Sequence, residues 1–261
     1  MKKPELIVAL DVDSLAELQE IVDGIGDAVK IYKVGSQVFT SCGPAAARFL
    51  MARGKEVFLD LKFHDIPNTV AHAVANAVNL STAVGRSSLT ASGQEVRMGE
   101  LLMYTVHTSG GEEMMRAASQ AAAQTAETLK VRRPLTVGVT VLTSQDQKTQ
   151  AAGLTGGEVS DNILTLVLKR AEAAKRAGLD GVVSSCAEAS AIRKEFGKDF
   201  VIVTPGIRPA GADVGDQKRV ATPSLAVQSG SSFLVVGRPI VKAPDPQQAA
   251  LKILEEIQKS S

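Results

Sequence analysis

Residues 56–65 read Glu-Val-Phe-Leu-Asp-Leu-Lys-Phe-His-Asp, a short apolar run that leads into a cluster of charges. The run at residues 56–59 predicts a buried strand, since it is short, apolar and continuous. Asp60 and Lys62 are two positions apart, so a strand would point both side chains to the same side. Burying charges at a strand end is costly unless they pair. The stretch therefore predicts either an ion-pair network or a reaction centre.

Eight β-like runs occur along the chain, at residues 6–11, 29–34, 56–60, 101–107, 135–141, 181–185, 200–204 and 233–237. Helical patterns lie between most of them, and the first begins with a capping box at Ser14 and Glu17. Strands that alternate with helices predict parallel βαβ units. We therefore predict an α/β protein, a single-domain (β/α)8 TIM barrel over residues 1–261. An open doubly wound sheet is the alternative, but residues 11–14 lack its glycine fingerprint.

One polar stretch, at about residues 81–100, does not fit this pattern. Links from a helix to the next strand usually take about 2–6 residues, and this one is much longer. Because it joins a helix to a following strand, it should lie on the face of the barrel opposite the active site. We interpret it as a peripheral insertion, and its composition is also compatible with disorder.

The composition excludes several classes of protein. The formal net charge is +1 and aromatic residues make up 3%, which argues against nucleic-acid binding. No segment reaches the ~20 apolar residues of a membrane span, and Asp11 and Asp13 interrupt the first apolar run too early for a signal peptide. Cys42 and Cys186 have no metal-ligand spacing. We expect reduced thiols in a cytoplasmic protein.

Polar residues lie at or just beyond the carboxyl ends of the predicted strands: Asp11, Lys33, Asp60, Lys62, His107, Thr143, Thr204 and Arg238. In a parallel barrel these ends converge on one mouth. Any single residue of this kind is as readily a strand cap or a surface residue. The charges from three of the strands should nevertheless meet near one axis, and chance rarely arranges this for five residues: Asp11, Lys33, Asp60, Lys62 and Asp65.

The alternation of lysines and aspartates has a chemical consequence. Each charge has opposite neighbours and stays ionised, so Lys62 is a proton donor rather than a Schiff-base nucleophile. A substrate anion beside Asp60 would be repelled, and the repulsion would ease if the anion left as a neutral gas. Negative charge that develops beside Lys62 would be stabilised and then protonated. The cluster suits decarboxylation without a cofactor, and it is also compatible with aldol or enediolate chemistry that uses a metal.

A second signal lies late in the chain. Residues 204–208 and 236–240 follow the seventh and eighth strands, where phosphates often bind in such barrels. Gly237 lets the backbone approach a phosphate, and Arg238 provides a charged fork. The loop between them contains Gln217 and has the composition of a mobile lid, although an ordinary surface loop explains it nearly as well.

The histidines are weaker candidates. His64 falls on the other side of the strand from Asp60 and Lys62, and we interpret it and His107 as structural. Aspartates and histidines can hold a metal, but the lysines among these acids already supply positive charge.

The sequence resembles the orotidine 5′-phosphate decarboxylase family. The matching segments keep the family order over nearly the whole chain, at residues 10–11, 32–35, 60–69, 106–107, 140–144, 204–208 and 236–240. The run Asp-x-Lys-x-x-Asp-Ile-Pro-Asn-Thr at residues 60–69 is highly specific. The polar insertion departs from the family pattern and leaves every matched motif intact.

The resemblance implies conversion of orotidine 5′-phosphate to uridine 5′-phosphate and CO2, the last step of de novo pyrimidine synthesis. It also implies that no metal or organic cofactor takes part and that the protein is a homodimer with sites at the subunit interface. In this family Lys62 would protonate C6 and Asp60 would lie against the departing carboxylate. Lys33 and Asp65 would complete the alternating charges.

The resemblance also implies substrate-binding roles. Asp11 and Lys33 would contact the ribose hydroxyls, and Thr143 the edge of the pyrimidine. Asp65 and Thr69 would reach into the partner's site. The remaining implied residues would bind the phosphate or lie near it: Arg208, Gln217, Gly237 and Arg238.

Two other functions stay open. Related barrels that share Asp-x-Lys, the sugar-phosphate decarboxylases and hexulose-phosphate synthases, resemble the site but use Mg²⁺ on acidic ligands. Lys33 stands where such an acidic ligand would be expected, which argues against them. A non-catalytic nucleotide-binding protein is the other possibility, and the presence of both Asp60 and Lys62 argues against it.

Overall fold

The computed structural model describes residues 3–82, 87–89, 95–143, 162–209 and 221–260. Eight parallel strands close into a barrel in the order β1-β10-β9-β8-β7-β6-β3-β2. The barrel strands are β1 (Glu5–Ala9), β2 (Ile31–Gly35), β3 (Glu56–Phe63), β6 (Leu101–His107), β7 (Leu135–Val139), β8 (Gly181–Val183), β9 (Val201–Thr204) and β10 (Phe233–Val236). The predicted (β/α)8 TIM barrel is confirmed.

All eight predicted strands are present, and most of their ends lie within two residues of the predicted ones. The exception is β3, which continues to Phe63 although the prediction ended it at Asp60. The prediction stopped where the charges begin. In the structure, Asp60 and Lys62 lie within β3, and an irregular pairing of β3 with β6, described below, makes this possible.

Ten helices surround the strands in the described part of the chain. They are α1 (Leu15–Ile25), α2 (Ser36–Cys42), α3 (Ala45–Ala52), α4 (Pro67–Asn79), α5 (Gly111–Leu129), α6 (Ile163–Arg176), α7 (Cys186–Phe196), α8 (Pro223–Gln228), α9 (Arg238–Val241) and α10 (Pro246–Lys259). The predicted cap of α1 is present, since the Ser14 side chain accepts the Glu17 N–H at 3.2 Å. No helix among these is long and apolar enough to cross a bilayer.

The apolar residues form two layers. One fills the barrel interior, and the larger one lies between the strands and the helices. Ile31 and Phe58 belong to the interior layer. Because side chains alternate along a strand, Lys33 and Asp60 follow them on the same inward face. The two-residue period of the strands therefore places the Lys33 and Asp60 side chains in the barrel mouth. They lie directly above Ile31 and Phe58, which form the apolar floor of the mouth.

The predicted insertion includes two short antiparallel strands, β4 (Ser87–Leu89) and β5 (Glu95–Arg97). The segment returns to the barrel at Gly99, whose N–H donates to the Met51 carbonyl at 2.8 Å. A Cβ on Gly99 would lie 1.8 Å from the Lys55 carbonyl oxygen, so the close approach of these two backbones requires glycine. This contact lies at the amino-terminal ends of β3 and β6, opposite the mouth. That the whole segment is a peripheral insertion stays a prediction, and residues 83–86 and 90–94 lie outside the described residues.

Replacing residues 83–97 by a short Gly-Ser linker is expected to leave turnover of the implied substrate within a few-fold of the wild type. The reason is that the segment joins the barrel at the end remote from the charged mouth. Steady-state kinetics on the shortened protein, with circular dichroism to establish that it is folded, provides the measurement. A loss of more than about a hundredfold in a folded protein would show that the segment takes part in the site.

Candidate active site

A cavity of about 490 Å³ opens at the carboxyl ends of the barrel strands. Eight of the predicted site residues line it: Asp11, Lys33, Asp60, Lys62, Thr143, Arg208, Gly237 and Arg238. They come from segments far apart in the sequence, and the closed parallel barrel brings them together. Charged and polar groups at such a mouth are the usual arrangement of an active site in this fold.

An alternating row of charges crosses one side of the cavity. The Lys33 ammonium lies 2.9 Å from Asp11 Oδ1 and 3.7 Å from Asp60 Oδ2. Lys33 and Asp60 are largely buried, with 12% and 14% of their side chains exposed, whereas Asp11 is half exposed. A Cβ on Gly35 would lie 2.6 Å from Lys33 Nζ, so glycine at this position leaves room for the lysine. The row is therefore built into the ends of β1, β2 and β3.

Lys62 extends the row, with its Nζ 3.0 Å from the same oxygen, Asp60 Oδ2. Alternation predicts this side for Lys62, but the backbone there is not that of a regular strand, because Lys62 is left-handed with φ of 53°. Between Leu59 and Phe63 the β3 strand advances four residues while its partner β6 advances two. This bulge turns the Lys62 side chain into the mouth. A non-glycine residue in this conformation is strained, and such strain is found most often at functional sites.

Thr105 on β6 stabilises this bulge of β3 through two hydrogen bonds. Its fully buried hydroxyl accepts the Lys62 backbone N–H at 2.8 Å and donates to Asp60 Oδ1 at 3.1 Å. Thr105 was not among the predicted site residues. The available signal was the threonine hydroxyl, next to Tyr104, in the otherwise apolar run of β6 before His107.

His64 and His107 form a stacked pair beside the site, with ring centroids 5.3 Å apart. The Ser109 hydroxyl is 2.6 Å from His107 Nδ1. Burial lowers the pKa of His107, and His64, Arg170 and Lys62 lower it further because a second positive charge there would be repelled. The stacked pair joins the segment after Lys62 to the end of β6, which supports a structural interpretation.

The late motifs line the cavity beside the β1 end of the charged row, since β10 pairs with β1 and a Cβ on Gly237 would lie 3.8 Å from Asp11 Oδ2. Arg208 is buried, and its guanidinium donates to the Ile207 carbonyl at 2.9 Å. Gly237 follows β10 and is the N-cap residue of the short helix α9, which begins at Arg238. Lys242, one turn after Arg238, also lines the cavity and was missed by the sequence analysis. Arg208, Arg238 and Lys242 bring three basic side chains to this part of the cavity, and such side chains suit a phosphate.

Two predicted residues, Asp65 and Thr69, do not line the cavity. Both are exposed outside it, and the Asp65 carboxylate accepts the Ile66 N–H at 2.6 Å. The ion pairs among the described residues do not join Asp65 to the charged row. Its predicted role in a partner's site, and that of Thr69, stay predictions. Gln217 lies outside the described residues.

The arrangement has a clear electrostatic logic. One carboxylate oxygen of Asp60 faces the ammonium groups of Lys62 and Lys33 at the cavity wall. The carboxylate of Asp11 pairs with Lys33. A ligand anion would meet repulsion at Asp60 and attraction at Lys62, Arg208 and Arg238. In the described part of the chain, no group of three or more His, Cys, Asp or Glu side chains is placed to hold a metal ion.

Comparisons with known proteins agree with this geometry. The family described as "Orotidine 5′-phosphate decarboxylase / HUMPS family" matches residues 4–253. An orotidine 5′-phosphate decarboxylase of Moorella thermoacetica is 44% identical over 256 residues, covering 98% of this chain and 93% of the relative. One from Vibrio cholerae is 44% identical over 260 residues, covering 100% of this chain and 99% of the relative.

A solved structure leads to the same family. The crystal structure of orotidine 5′-phosphate decarboxylase from Lactobacillus acidophilus superposes with a TM-score of 0.79 and 33% sequence identity. The match covers 97% of this chain and 99% of that chain. Sequence, fold and the composition of the mouth are therefore in agreement, and the chain belongs to the orotidine 5′-phosphate decarboxylase / HUMPS family.

Proposed function

We propose that this protein decarboxylates orotidine 5′-phosphate to uridine 5′-phosphate and CO2, the last step of de novo pyrimidine synthesis. The observation that carries the proposal is the row Asp11–Lys33–Asp60–Lys62, in which two ammonium groups face one buried carboxylate. The full-length likeness to curated orotidine 5′-phosphate decarboxylases supports the same activity.

The charged row and the late motifs beside its β1 end suggest how the nucleotide lies. The phosphate would bind at Gly237 and Arg238, with Arg208 nearby, and the family resemblance adds Gln217 as a further phosphate contact. The ribose would then span the mouth, within reach of Asp11 and Lys33. The pyrimidine would lie beside Lys62, with its edge toward Thr143. Binding energy from the phosphate, which does not react, would help to hold the pyrimidine against Asp60.

The chemical step follows from the two ends of the row. The substrate carboxylate at C6 would be placed against Asp60, where two negative charges repel each other. Cleavage of the bond between C6 and the carboxyl carbon releases neutral CO2 and leaves the electron pair on C6. Lys62 stabilises this developing charge and transfers one of its protons to C6. The amine then regains a proton from solvent.

We propose that neither a metal nor an organic cofactor takes part. Lys33 and Lys62 supply positive charge at the place where a metal-dependent relative would carry acidic ligands around a cation. Lys33 lies 2.9 Å from Asp11 and 3.7 Å from Asp60, so both carboxylates already have an ammonium partner. EDTA should therefore leave the activity intact.

We also propose a cytoplasmic homodimer with shared sites. The segment after Lys62 presents Asp65, Thr69 and the large apolar side chain of Ile66 to solvent, and Ile66 is 65% exposed. An exposed isoleucine flanked by polar residues is a plausible centre for an interface. In a dimer, Asp65 and Thr69 would complete the site of the other subunit.

Substitution of Lys62→Ala is expected to lower kcat by about 10³-fold or more, because it removes both the proton donor and the stabilising charge. The measurement is the loss of orotidine 5′-phosphate absorbance in the presence of EDTA. The control is Lys198→Ala, which removes an exposed lysine at the other end of the barrel and should leave kcat unchanged. No turnover by folded wild-type protein in EDTA, followed by activity on adding Mg²⁺, would favour the metal-dependent relatives instead.

The shared site is tested by mixing two inactive variants. Lys62→Ala and Asp65→Asn, co-expressed with different tags, should form heterodimers in which one of the two sites is intact. Random pairing then predicts recovery of about a quarter of the wild-type activity. Activity no greater than the sum of the two separate variants would place Lys62 and Asp65 of one site on the same chain.

A further inference from the structure

We propose that Thr105 is a positioning residue, one that fixes the distance and direction between Asp60 and Lys62. The inference rests on the proposed function for its kinetic consequences, and on the geometry of β3 and β6 for its structural ones. Thr105 does not line the cavity, so it acts through the two charged residues and not on the substrate.

The polarity of the two hydrogen bonds of Thr105 is determined by their partners. The Lys62 backbone N–H can only donate, so Thr105 Oγ1 accepts it at 2.8 Å. The Asp60 carboxylate accepts, so the hydroxyl proton points at Asp60 Oδ1, 3.1 Å away. Thr105 is fully buried, so no bulk water competes for either bond. One hydroxyl therefore holds the backbone of the lysine and the side chain of the aspartate together.

The two hydrogen bonds of Thr105 constrain two features of the site, the backbone of Lys62 and the carboxylate of Asp60. The left-handed backbone of Lys62 is unfavourable by itself, and the bond from its N–H to Thr105 stabilises it. The carboxylate of Asp60 could otherwise rotate, but with Oδ1 held by Thr105, Oδ2 stays directed at both Lys62 and Lys33. Loss of the hydroxyl should loosen both constraints while leaving every charge present.

Other buried threonines of the described barrel do not make such contacts. Thr108 and Thr140 donate to the carbonyls of the neighbouring strands, and Thr204 pairs with a serine hydroxyl. Thr136 on β7 bonds to the Tyr104 hydroxyl at 2.7 Å and is as deeply buried as Thr105. Thr136 is therefore the matched control, with the same residue type, the same burial and no contact with the charged row.

The test compares four proteins by kcat, KM and thermal denaturation: wild type, Thr105→Val, Thr105→Ser and Thr136→Val. Valine keeps the shape and removes the hydroxyl, whereas serine keeps the hydroxyl and removes the methyl. Thr105→Val should lower kcat by about 10- to 100-fold with KM within about threefold, because misplacement of reacting groups reduces the chemical step. Thr105→Ser should stay within about threefold of the wild-type kcat, and Thr136→Val should lower Tm without lowering kcat.

Two kinetic outcomes would overturn the proposal. One is wild-type kcat in folded Thr105→Val, and the other is a loss in Thr105→Ser equal to that in Thr105→Val, which would indicate packing alone. If Thr105→Val fails to fold, Thr105→Ala takes its place in the same comparison with serine.

A crystal structure of the hydroxyl-deficient variant gives a readout that does not depend on activity. The proposal predicts a rotated Asp60 carboxylate and a longer separation between Lys62 Nζ and Asp60 Oδ2 than the present 3.0 Å. An unchanged separation, with Lys62 still left-handed, would overturn it. Inactivity of the wild type on orotidine 5′-phosphate would instead contradict the proposed function, and this structural comparison would still decide the role of Thr105.

Discussion

The site depends on one carboxylate oxygen, Asp60 Oδ2, which faces the ammonium groups of Lys62 at 3.0 Å and Lys33 at 3.7 Å. Two lysines this close would repel each other in a largely buried cavity wall without an anion between them. Asp11 balances Lys33 on its far side. The four charges of the row therefore stabilise one another only when all are present. Lys62 lies at the end of the row, at the edge of the cavity, where its ammonium group can also interact with a bound ligand.

The barrel supplies the geometry that this row requires. The strand period directs Lys33 and Asp60 inward above the apolar floor at Ile31 and Phe58. Alternation also predicts the same side for Lys62, but its observed backbone is left-handed and lies in an irregular part of β3. The two extra residues of β3 relative to β6, and the left-handed backbone they contain, bring its ammonium back to Asp60. The position of Lys62, the proposed proton donor, thus depends on a local irregularity of β3 in an otherwise regular barrel.

The sequence was sufficient to predict the barrel and most of the mouth, because both depend on local periodicity and on where strands end. Asp11, Lys33 and Asp60 lie where alternation places them. The role of Thr105 could not be predicted, since it depends on how β3 and β6 pair across a bulge, and no local pattern encodes that register. Lys242 was missed for a similar reason: one more lysine on a polar segment is not distinctive until the fold places it in the cavity wall.

The most direct measurement is a crystal structure of the protein with uridine 5′-phosphate, the proposed product. The central claim is that Lys62 acts at C6 while the late motifs hold the phosphate. The account predicts the pyrimidine with C6 facing Lys62 Nζ at about 3–3.5 Å and the phosphate at Gly237 and Arg238. A nucleotide bound with its phosphate beside Asp60 and Lys62, or bound outside the mouth, would contradict it.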